Sequence, residues 1–376
     1  MGIIKESVID LSELTLTYSI ADQNFKKTKS IGIFNVSTQL LENLCRRVNF
    51  KQLSVLSNSI LDDKLHLPAD VKVYHYDGVI KNRLSRVLWD QWGSYRAAKN
   101  VGNQWLFIPK GFASFMMLPD FKLAAYVYDA AHNFYRMRYP NAMPWLENEY
   151  FIRCLKETLK HADVIFTDSD FTKNELNNLA RNFKIKPGLI INAGIGFVYD
   201  EKSAMAKKES LLLLTSSWPH KLTKLAIGFL KRWQRETNFL GTIELIGNLP
   251  SGVRLPDLAS WRHYRYLPET DYRKVLASAR ALLFFSTYEG FGMPPVEATI
   301  AGTCPVFSDL PVTREVMGSA GFSFSNDSYE SFALSLNEAL KVPPAKIKMW
   351  ADILLQHHNW DRVIEKIISG LKYANK

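Results

Sequence analysis

Two glutamates stand eight positions apart on either side of a glycine-rich turn, in the stretch STYEGFGMPPVEATIAG at residues 286–302. Glu289 precedes Gly290 and Gly292, and Glu297 follows two prolines. Glycine lets the backbone approach a ligand closely, and a helix start binds anions through its free N–H groups. A carboxylate beside an anion site needs another task, and accepting hydrogen bonds from hydroxyl groups is the obvious one. The spacing predicts a pocket for a ligand that carries both phosphate and hydroxyl groups.

The local pattern also predicts that a helix begins at the two prolines. Pro294 or Pro295 fits the first turn of a helix, where a missing N–H costs nothing. The free amides of residues 290–293 would then form the anion site, and Glu297 would lie in the first helical turn. Two simpler explanations stay open. Glu297 could merely complement the helix dipole, worth about 0.3–1 kcal/mol, and Glu289 could be a solvated loop residue.

The elements that position this turn are short apolar runs alternating with helical patterns. The run ALLFFS at 281–286 is apolar throughout, as in a strand buried on both faces, and the turn follows its carboxyl end. Further predicted strands are SVIDLSEL, QLSVLS, VKVYHY, QWLFIP, LAAYVYD, DVIFTD and LIIN in the first half, and LLLLTSS, TIELIG, CPVFS and GFSF in the second. Helical patterns follow Gly32 and recur near 81–98, 148–161, 170–183 and 221–236. This alternation predicts an α/β fold with parallel sheets and helices on both faces.

The pattern breaks once, near residue 200. The segment YDEKSAMAKKES is charged, has little apolar periodicity and is typical of a linker. The chain has 376 residues, which fits two domains because domains of about 100–200 residues are common. We therefore expect one domain over 1–200, a second over 201–358 and a terminal helix over 359–376.

The composition is that of a globular protein with a basic surface. The formal net charge of +10 is spread over both halves, so it is either a solvated surface or one that meets anionic substrates or lipid. The three cysteines show no metal or disulfide spacing, which suits a reducing cytoplasm. The N-terminus has Lys5 and Glu6 where a signal peptide needs an apolar run. No apolar run approaches the ~20 residues of a membrane span, so any membrane contact would be peripheral.

The second half of the chain resembles a known family. The stretch ASARALLFFSTYEGFGMPPVEATIAGTCPVFSDLPVTREVMGSAGFSF is similar to the donor-binding domain of retaining glycosyltransferases of the GT-B fold, family 4, whose Glu–seven residues–Glu motif Glu289 and Glu297 match. Weaker likeness extends to ADVIFTDSDFTKNEL, SSWPHKLTKLAIGFLKRW, SIGIFNVSTQLLENL and HNWDRV. The resemblance implies two Rossmann-like domains whose parallel sheets face each other across a cleft. It also implies that the terminal helix returns to the first domain.

The resemblance implies roles for the residues of the turn. Glu297 would hold the ribose of a nucleotide-sugar and Glu289 would contact the donor sugar. Backbone amides would hold sugar hydroxyls and the diphosphate; these belong to Gly290, Phe291, Gly292 and Met293. A metal-free transfer needs another cation for the departing diphosphate, and Lys221 matches the lysine that the family uses.

Part of the family's pattern is altered around Lys221. His220 stands where an arginine is common, and Ser216 or Ser217 stands where a second arginine often lies. Lys224, one turn further along a helix, could replace the missing cation. A solvated lysine at a helix start is the simpler explanation of Lys221.

The first domain offers fewer matches. Gly32 corresponds to a glycine near the donor phosphates, or else marks a plain helix entry. The family often has a histidine near the reacting sugar at the end of a first-domain strand. Counting back from Pro140 favours His132, whereas the strand end favours Tyr128 and Asp129. We expect His132 to take this role, with a structural histidine as the alternative.

The resemblance implies a retaining, metal-independent hexosyltransferase that needs no cofactor. A nucleotide-diphosphate sugar, with GDP-mannose as the first expectation, would donate to a glycan or lipid-linked saccharide. The protein would act in the cytoplasm, and its basic surface would suit the anionic inner face of a membrane. A nucleotide-sugar epimerase of the same fold, or an inactive partner subunit of another transferase, are the alternatives. The even charge and the absence of a nucleic-acid motif disfavour a nucleic-acid-binding protein.

Overall fold

The computed structural model of the chain describes residues 9–25, 31–198 and 205–375. The chain divides into two compact units. The first unit comprises Met1–Arg136, Met143–Ile195 and Trp360–Lys376, and the second comprises Met137–Ala142 and Gly196–Asn359. Each unit has its own parallel sheet, as the alternation of strands and helices predicts.

The first unit contains a seven-stranded sheet in the order β3-β2-β1-β4-β5-β6-β7, with every pair parallel. Its strands are β1 (Ile9–Ser19), β2 (Val48–Ser57), β3 (Lys72–His75), β4 (Trp105–Ile108), β5 (Lys122–Val127), β6 (Val164–Thr167) and β7 (Leu189–Asn192). The helices of this part of the chain are α1 (Ile31–Arg47), α2 (Arg83–Leu88), α3 (Ser94–Val101), α4 (Ala131–Arg138), α5 (Trp145–His161) and α6 (Asp170–Asn182).

The second unit contains a six-stranded parallel sheet in the order β10-β9-β8-β11-β12-β13. Its strands are β8 (Ser210–Thr215), β9 (Thr242–Gly247), β10 (Trp261–Tyr264), β11 (Ala281–Phe284), β12 (Cys304–Ser308) and β13 (Phe322–Phe324). Its helices are α7 (Thr223–Thr237), α8 (Glu269–Ser278), α9 (Met293–Ile300), α10 (Pro311–Met317), α11 (Tyr329–Ala339) and α12 (Pro344–His357).

Both sheets have the strand order of a doubly wound Rossmann fold, with one added edge strand in the first. The order of connection reverses between β1 and β4 in the first sheet and between β8 and β11 in the second. Ligands of such sheets bind beyond the carboxyl ends of the strands at this reversal. The topology therefore marks one candidate position in each unit.

The central strands are apolar on both faces because helices cover both faces of each sheet. Leu211, Leu212 and Leu213 of β8 are fully buried, as are Leu282 and Leu283 of the neighbouring β11. Strand β11, whose carboxyl end leads into the glycine turn, is thus fixed in a rigid core.

The last helix, α13 (Trp360–Asn375), packs within the first unit against α1, β6 and β7. Gly370 lies against the sheet, where a Cβ atom would come within 2.8 Å of the Phe166 ring and of Ile191 Cδ1. An ion pair between Arg47 and Asp361 joins α1 to the start of this helix. Because Gly370 has no side chain, α13 can lie directly against the strands at this position.

Two features differ from the expectation. The helix predicted near 81–98 is interrupted, because a π-helical turn at Trp89–Gly93 separates α2 from α3. Strand β10 carries no apolar alternation and was not predicted. It lies at the sheet edge with Arg262 and His263 exposed, so its pattern is mostly polar. No helix in the described parts of the chain has the length and apolar character needed to cross a membrane.

Candidate active site

Two loops meet at the reversal of the second sheet. Residues 216–222 follow β8, and residues 285–292 follow the adjacent β11. The N–H of Thr287 donates to the backbone oxygen of His220 at 2.8 Å, which ties the loops together. This contact places Lys221 beside the glutamate of the turn.

Lys221 and Glu289 form an ion pair across these loops. Lys221 Nζ lies 2.5 Å from Glu289 Oε1, with the side chains 26% and 13% exposed. The same ammonium lies 4.9 Å from the centre of the Phe284 ring, a cation–π contact at the last residue of β11. Partial burial strengthens the attraction between these opposite charges, because water screens it less. The predicted cation and carboxylate therefore form one half-buried pair.

The glycine turn concentrates hydrogen-bond donors at the start of α9. Gly292 is the N-cap and has φ +85°, a left-handed conformation that favours glycine. The N–H groups of Phe291, Gly292 and Met293 have no acceptor among the described residues. Pro294 and Pro295 carry no N–H at all. The donors at this helix start are therefore limited to the residues that form the turn itself.

Phe291 can offer a ligand only its backbone, because its ring is buried. Its ring is 4% exposed and packs near Phe197 and His358, at centroid distances of 6.0 and 5.3 Å. The buried ring anchors the turn from beneath, so the adjacent amides are held in place by core packing.

Glu297 lies in the second turn of α9, and the expectation of a first-turn position is wrong. The helix begins at Met293 rather than at the prolines, which moves Glu297 to the fifth helical residue. Tyr272 of α8 approaches Glu297 Oε2 at 3.5 Å. Burial raises the pKa of Glu297, with Arg273 opposing the shift. The carboxylate thus faces α8, whereas Glu289 faces Lys221.

Ser216 holds the loop after β8 in shape. Its N–H donates to Thr223 Oγ1 at 3.0 Å, and its Oγ accepts from the N–H of Trp218 at 3.2 Å. The loop ends at Leu222, which has φ +47° and is the N-cap of α7. A non-glycine residue in this conformation is strained, and such strain clusters at functional sites.

His220 does not supply the charge of the arginine it replaces. Burial, together with the neighbouring Lys221 cation, lowers its pKa to about 4. The imidazole is therefore neutral near pH 7. Lys224 lies exposed in the first turn of α7. Within residues 216–222, Lys221 is the charged group that the loop brings to the turn.

The first-unit candidates lie on separate elements. Gly32 is in the first turn of α1, and residues 26–30 before it lie outside the described residues. His132 is in α4, stacked on Phe151 at a centroid distance of 4.3 Å, and burial lowers its pKa to about 4. Tyr128 and Asp129 directly follow β5, so they occupy the strand end that the alternative register favours. The roles of Gly32 and His132 stay predictions.

Some residues that shape the site gave no signal in the sequence. Phe284 beneath Lys221 and the left-handed Leu222 depend on contacts that spacing does not reveal. Gly247 at the end of β9 could have been noticed, since glycine at a strand end marks close backbone approach. It has φ +120°, and a Cβ there would lie 2.0 Å from the Thr215 oxygen at the end of β8.

The described residues include no group of three or more His, Cys, Asp or Glu side chains arranged to hold a metal ion. The positive groups available to an anion at this position are the turn amides and Lys221. This donor set fits a phosphate-bearing ligand that also offers hydroxyls to Glu289.

Comparisons with known proteins agree with this geometry. Sucrose-phosphate synthase from Thermosynechococcus elongatus superposes with a TM-score of 0.66 at 13% identity, covering 96% of this chain and 98% of that one. Anabaena HepE, solved with UDP and glucose, gives 0.65 at 14% identity, covering 96% and 100%. These likenesses show the GT-B fold.

Two curated relatives match part of the sequence. The O-antigen chain mannosyltransferase RfbU of Salmonella typhimurium is 27% identical over 223 residues, which are 57% of this chain and 61% of that protein. The O-antigen chain mannosyltransferase B of Escherichia coli is 26% identical over 216 residues, or 51% and 55%. The chain thus spans less than two thirds of either relative. Residues 259–352 of the second unit match the model of the family glycosyl transferases group 1.

Proposed function

We propose that this protein is a retaining, metal-independent glycosyltransferase that moves a hexose from a nucleotide-diphosphate sugar to a saccharide. One observation carries the proposal: acceptor-free amides of Phe291, Gly292 and Met293 stand at a helix start next to the Lys221–Glu289 pair. The family match over 259–352 and the mannosyltransferase relatives support it.

The turn and Lys221 would stabilise the leaving group. As the bond between the sugar's anomeric carbon and the diphosphate oxygen breaks, negative charge grows on the diphosphate. Amides fixed by a helix start and an ammonium held at 2.5 Å from Glu289 are already oriented, so little reorganisation is needed when charge develops. Positive charge from the protein itself is the basis for proposing metal-independent transfer.

The two glutamates would recognise hydroxyls. Glu289 accepts from the donor sugar while keeping Lys221 in place, and Glu297 on α9 accepts from the ribose. The acceptor hydroxyl forms the new bond to the anomeric carbon, and its proton passes to the oxygen of the departing phosphate. In this route the departing phosphate takes the proton, so no side-chain base is needed, and the sugar is transferred with its anomeric configuration retained.

GDP-mannose is the proposed donor because both curated relatives are named mannosyltransferases. The proposed acceptor is a glycan or a lipid-linked saccharide, as their O-antigen names suggest. The net charge of +10 suits peripheral contact with the anionic cytoplasmic face of a membrane.

A nucleotide panel tests the donor site. UDP, GDP, dTDP and ADP are added separately to the full chain, and the melting temperature is recorded. A ligand that binds only the folded state raises the melting temperature, because at 100 times Kd it adds about 2.7 kcal/mol to the free energy of unfolding. We expect GDP to give the largest shift. The absence of a shift with all four nucleotides would overturn the proposed function.

Turnover distinguishes the alternatives. With GDP-mannose and a mixture of lipid-linked saccharides, a transferase releases GDP only when the acceptor is present. An epimerase would convert the donor with no acceptor and without releasing GDP. An inactive subunit would bind nucleotide and do neither.

A further inference from the structure

We propose that Ser308 and Asn326 are positioning residues of the candidate active site, which hold Glu289 beside Lys221 through a closed hydrogen-bond ring with Ser286. The ring lies within the second unit, at the carboxyl ends of three adjacent strands. The inference rests on the proposed function only where its test measures turnover.

The hydrogen-bond ring joins the ends of β11, β12 and β13. The N–H of Ser286 donates to Ser308 Oγ at 2.9 Å, and Ser308 Oγ donates to Asn326 Oδ1 at 2.7 Å. Asn326 Nδ2 donates back to the backbone oxygen of Ser286 at 2.8 Å. Because this backbone oxygen can only accept, the amide nitrogen must face it. The ring therefore has a single consistent arrangement of donors and acceptors.

The hydrogen-bond ring fixes the backbone at the point where the chain leaves the sheet. Ser286 and Ser308 are fully buried, and Asn326 is half-buried. Strand β11 ends at Phe284, so side chains from the two neighbouring strand ends supply the partners for both backbone groups of Ser286. Buried backbone groups need such partners, and hydrogen bonds fix direction as well as distance. The ring therefore sets the direction of the turn that follows.

The residues between the hydrogen-bond ring and Glu289 are held as well. Ser286 Oγ donates to the backbone oxygen of Tyr288 at 2.9 Å. The N–H of Thr287 donates to the backbone oxygen of His220 at 2.8 Å. Glu289 is the next residue, and its side chain is 13% exposed. Few free torsions therefore separate the ring from the carboxylate of the ion pair.

Thr313 provides a second connection between the hydrogen-bond ring and the turn. Its Oγ1 donates to the backbone oxygen of Ser308 at 2.8 Å. A Cβ atom at Gly292 would lie 3.7 Å from Thr313 Cγ2 and 4.0 Å from Glu289 Cγ. Thr313 and Glu289 thus border the same glycine, so a shift of Ser308 would also reach the turn along this path.

The arrangement indicates which kinetic constant depends on the hydrogen-bond ring. A catalytic group must be held within about 0.5 Å of its working position. The turn amides have a separate anchor, because the phenyl group of Phe291 is buried beside them. Opening the ring should therefore displace Glu289 more than the amides, and lower kcat more than nucleotide affinity.

The first test is a double-mutant cycle that needs no substrate. Lys221→Met, Glu289→Gln and the double variant are unfolded with denaturant, in the wild-type chain and again in the Ser308→Ala background. The cycle gives the coupling free energy between the two charged side chains. We expect Ser308→Ala, and separately Asn326→Ala, to lower this coupling to less than about half of its wild-type value.

Ser335→Ala is the matched control for the cycle. Ser335 Oγ donates to the backbone oxygen of Ser323 at 2.8 Å in the same unit, outside the hydrogen-bond ring. This variant also loses a hydrogen bond and should lower the melting temperature similarly, yet leave the coupling unchanged. Wild-type coupling in a folded Ser308→Ala or Asn326→Ala variant would overturn the inference.

Turnover supplies the second test. In each folded ring variant we expect kcat to fall about tenfold or more, while the Kd of the nucleotide identified by the melting-temperature panel stays within about threefold of the wild-type value. Unchanged kcat, in an enzyme that Glu289→Gln inactivates, would overturn the inference. A wild type without turnover would refute the proposed function instead, and the coupling measurement would then decide this inference by itself.

Discussion

At the scale of single residues, the Lys221–Glu289 pair is the central feature of the candidate site. In the proposed reaction, the cation neutralises the glutamate until a diphosphate binds, and the glutamate holds the cation at the position proposed for that diphosphate. Each side chain therefore has two tasks. Because the tasks differ, removing each partner should produce a different defect.

We expect Lys221→Met to remove most of the nucleotide-induced rise in melting temperature and to lower kcat/KM by about 10²–10³-fold, as for other lost charge-stabilising donors. Glu289→Gln should keep the nucleotide shift but lower turnover similarly, since the amide weakens contacts to the sugar. Lys274→Met serves as the control, because this lysine is exposed on α8, where it pairs with Asp271. Unchanged turnover in Glu289→Gln would refute the role given to that residue.

His132 allows a test of its structural alternative through pH. Burial lowers its pKa from 6.5 to about 4. The unfolded chain therefore takes up the proton first, so its contribution to stability is complete above about pH 6.5 and is lost as the pH falls towards 4. His132→Phe should flatten the fall in the free energy of unfolding over this range, by at most about 3 kcal/mol, and the melting temperature should follow.

His220 titrates in the same direction, so part of the slope should remain in that variant. The measurement is thermal unfolding at half-unit pH steps from 4 to 7, together with turnover at pH 7. Full turnover in His132→Phe would assign His132 to packing against Phe151. An unaltered slope would contradict the burial argument.

At the scale of elements, helix starts and tight packing decide where side chains act. The sequence predicted most strands and the turn after β11, because apolar runs and glycine–proline patterns are local signals. It placed Glu297 one turn too early, since two prolines are compatible with several helix starts. The resemblance named Lys221 and Glu289 for one site, but their direct ion pair was not predicted, because spacing says nothing about positions 68 residues apart. The π-helical turn was hidden for a similar reason, being stabilised by packing around Trp89 and Gln91.

Helix α13 gives a prediction at this scale. Gly370→Val should destabilise the protein by about 1–3 kcal/mol, because the added atoms meet the Phe166 ring and Ile191. Ser369→Val is the matched control, since Ser369 is exposed on the same helix. Chemical denaturation measures both. Equal stability of the two variants would show that α13 can move away from the sheet at no cost.

At the scale of the whole molecule, the alternation of strands and helices indicated an α/β protein, and the two parallel sheets confirm the fold class. Segment boundaries were less accessible, because the second unit also includes Met137–Ala142, which no break in the sequence pattern marks. Net charge alone also cannot say which surface meets a membrane.

The distribution of apolar side chains does suggest such a surface. Trp145 and Leu146 at the start of α5 are 70% and 74% exposed, and Arg136 of the same unit is also exposed. We expect the protein to sediment with vesicles containing phosphatidylglycerol, less so at high salt. The double variant Trp145→Ser, Leu146→Ser should reduce binding about tenfold.

Leu240→Ser is the control for the vesicle experiment, because Leu240 is 96% exposed on the second unit. Equal sedimentation with neutral phosphatidylcholine vesicles would argue against an electrostatic contribution. Undiminished binding by the double variant would place any membrane contact elsewhere on the protein.

The consecutive prolines at the beginning of α9 have an entropic consequence. Each ring fixes φ near −65°, so the segment after Gly292 has few conformations to lose when an anion binds. Affinity gained in this way comes from rigidity already present rather than from additional contacts. Pro294→Ala with Pro295→Ala should leave the folded shape similar yet make nucleotide association entropically less favourable, a difference that calorimetry would register.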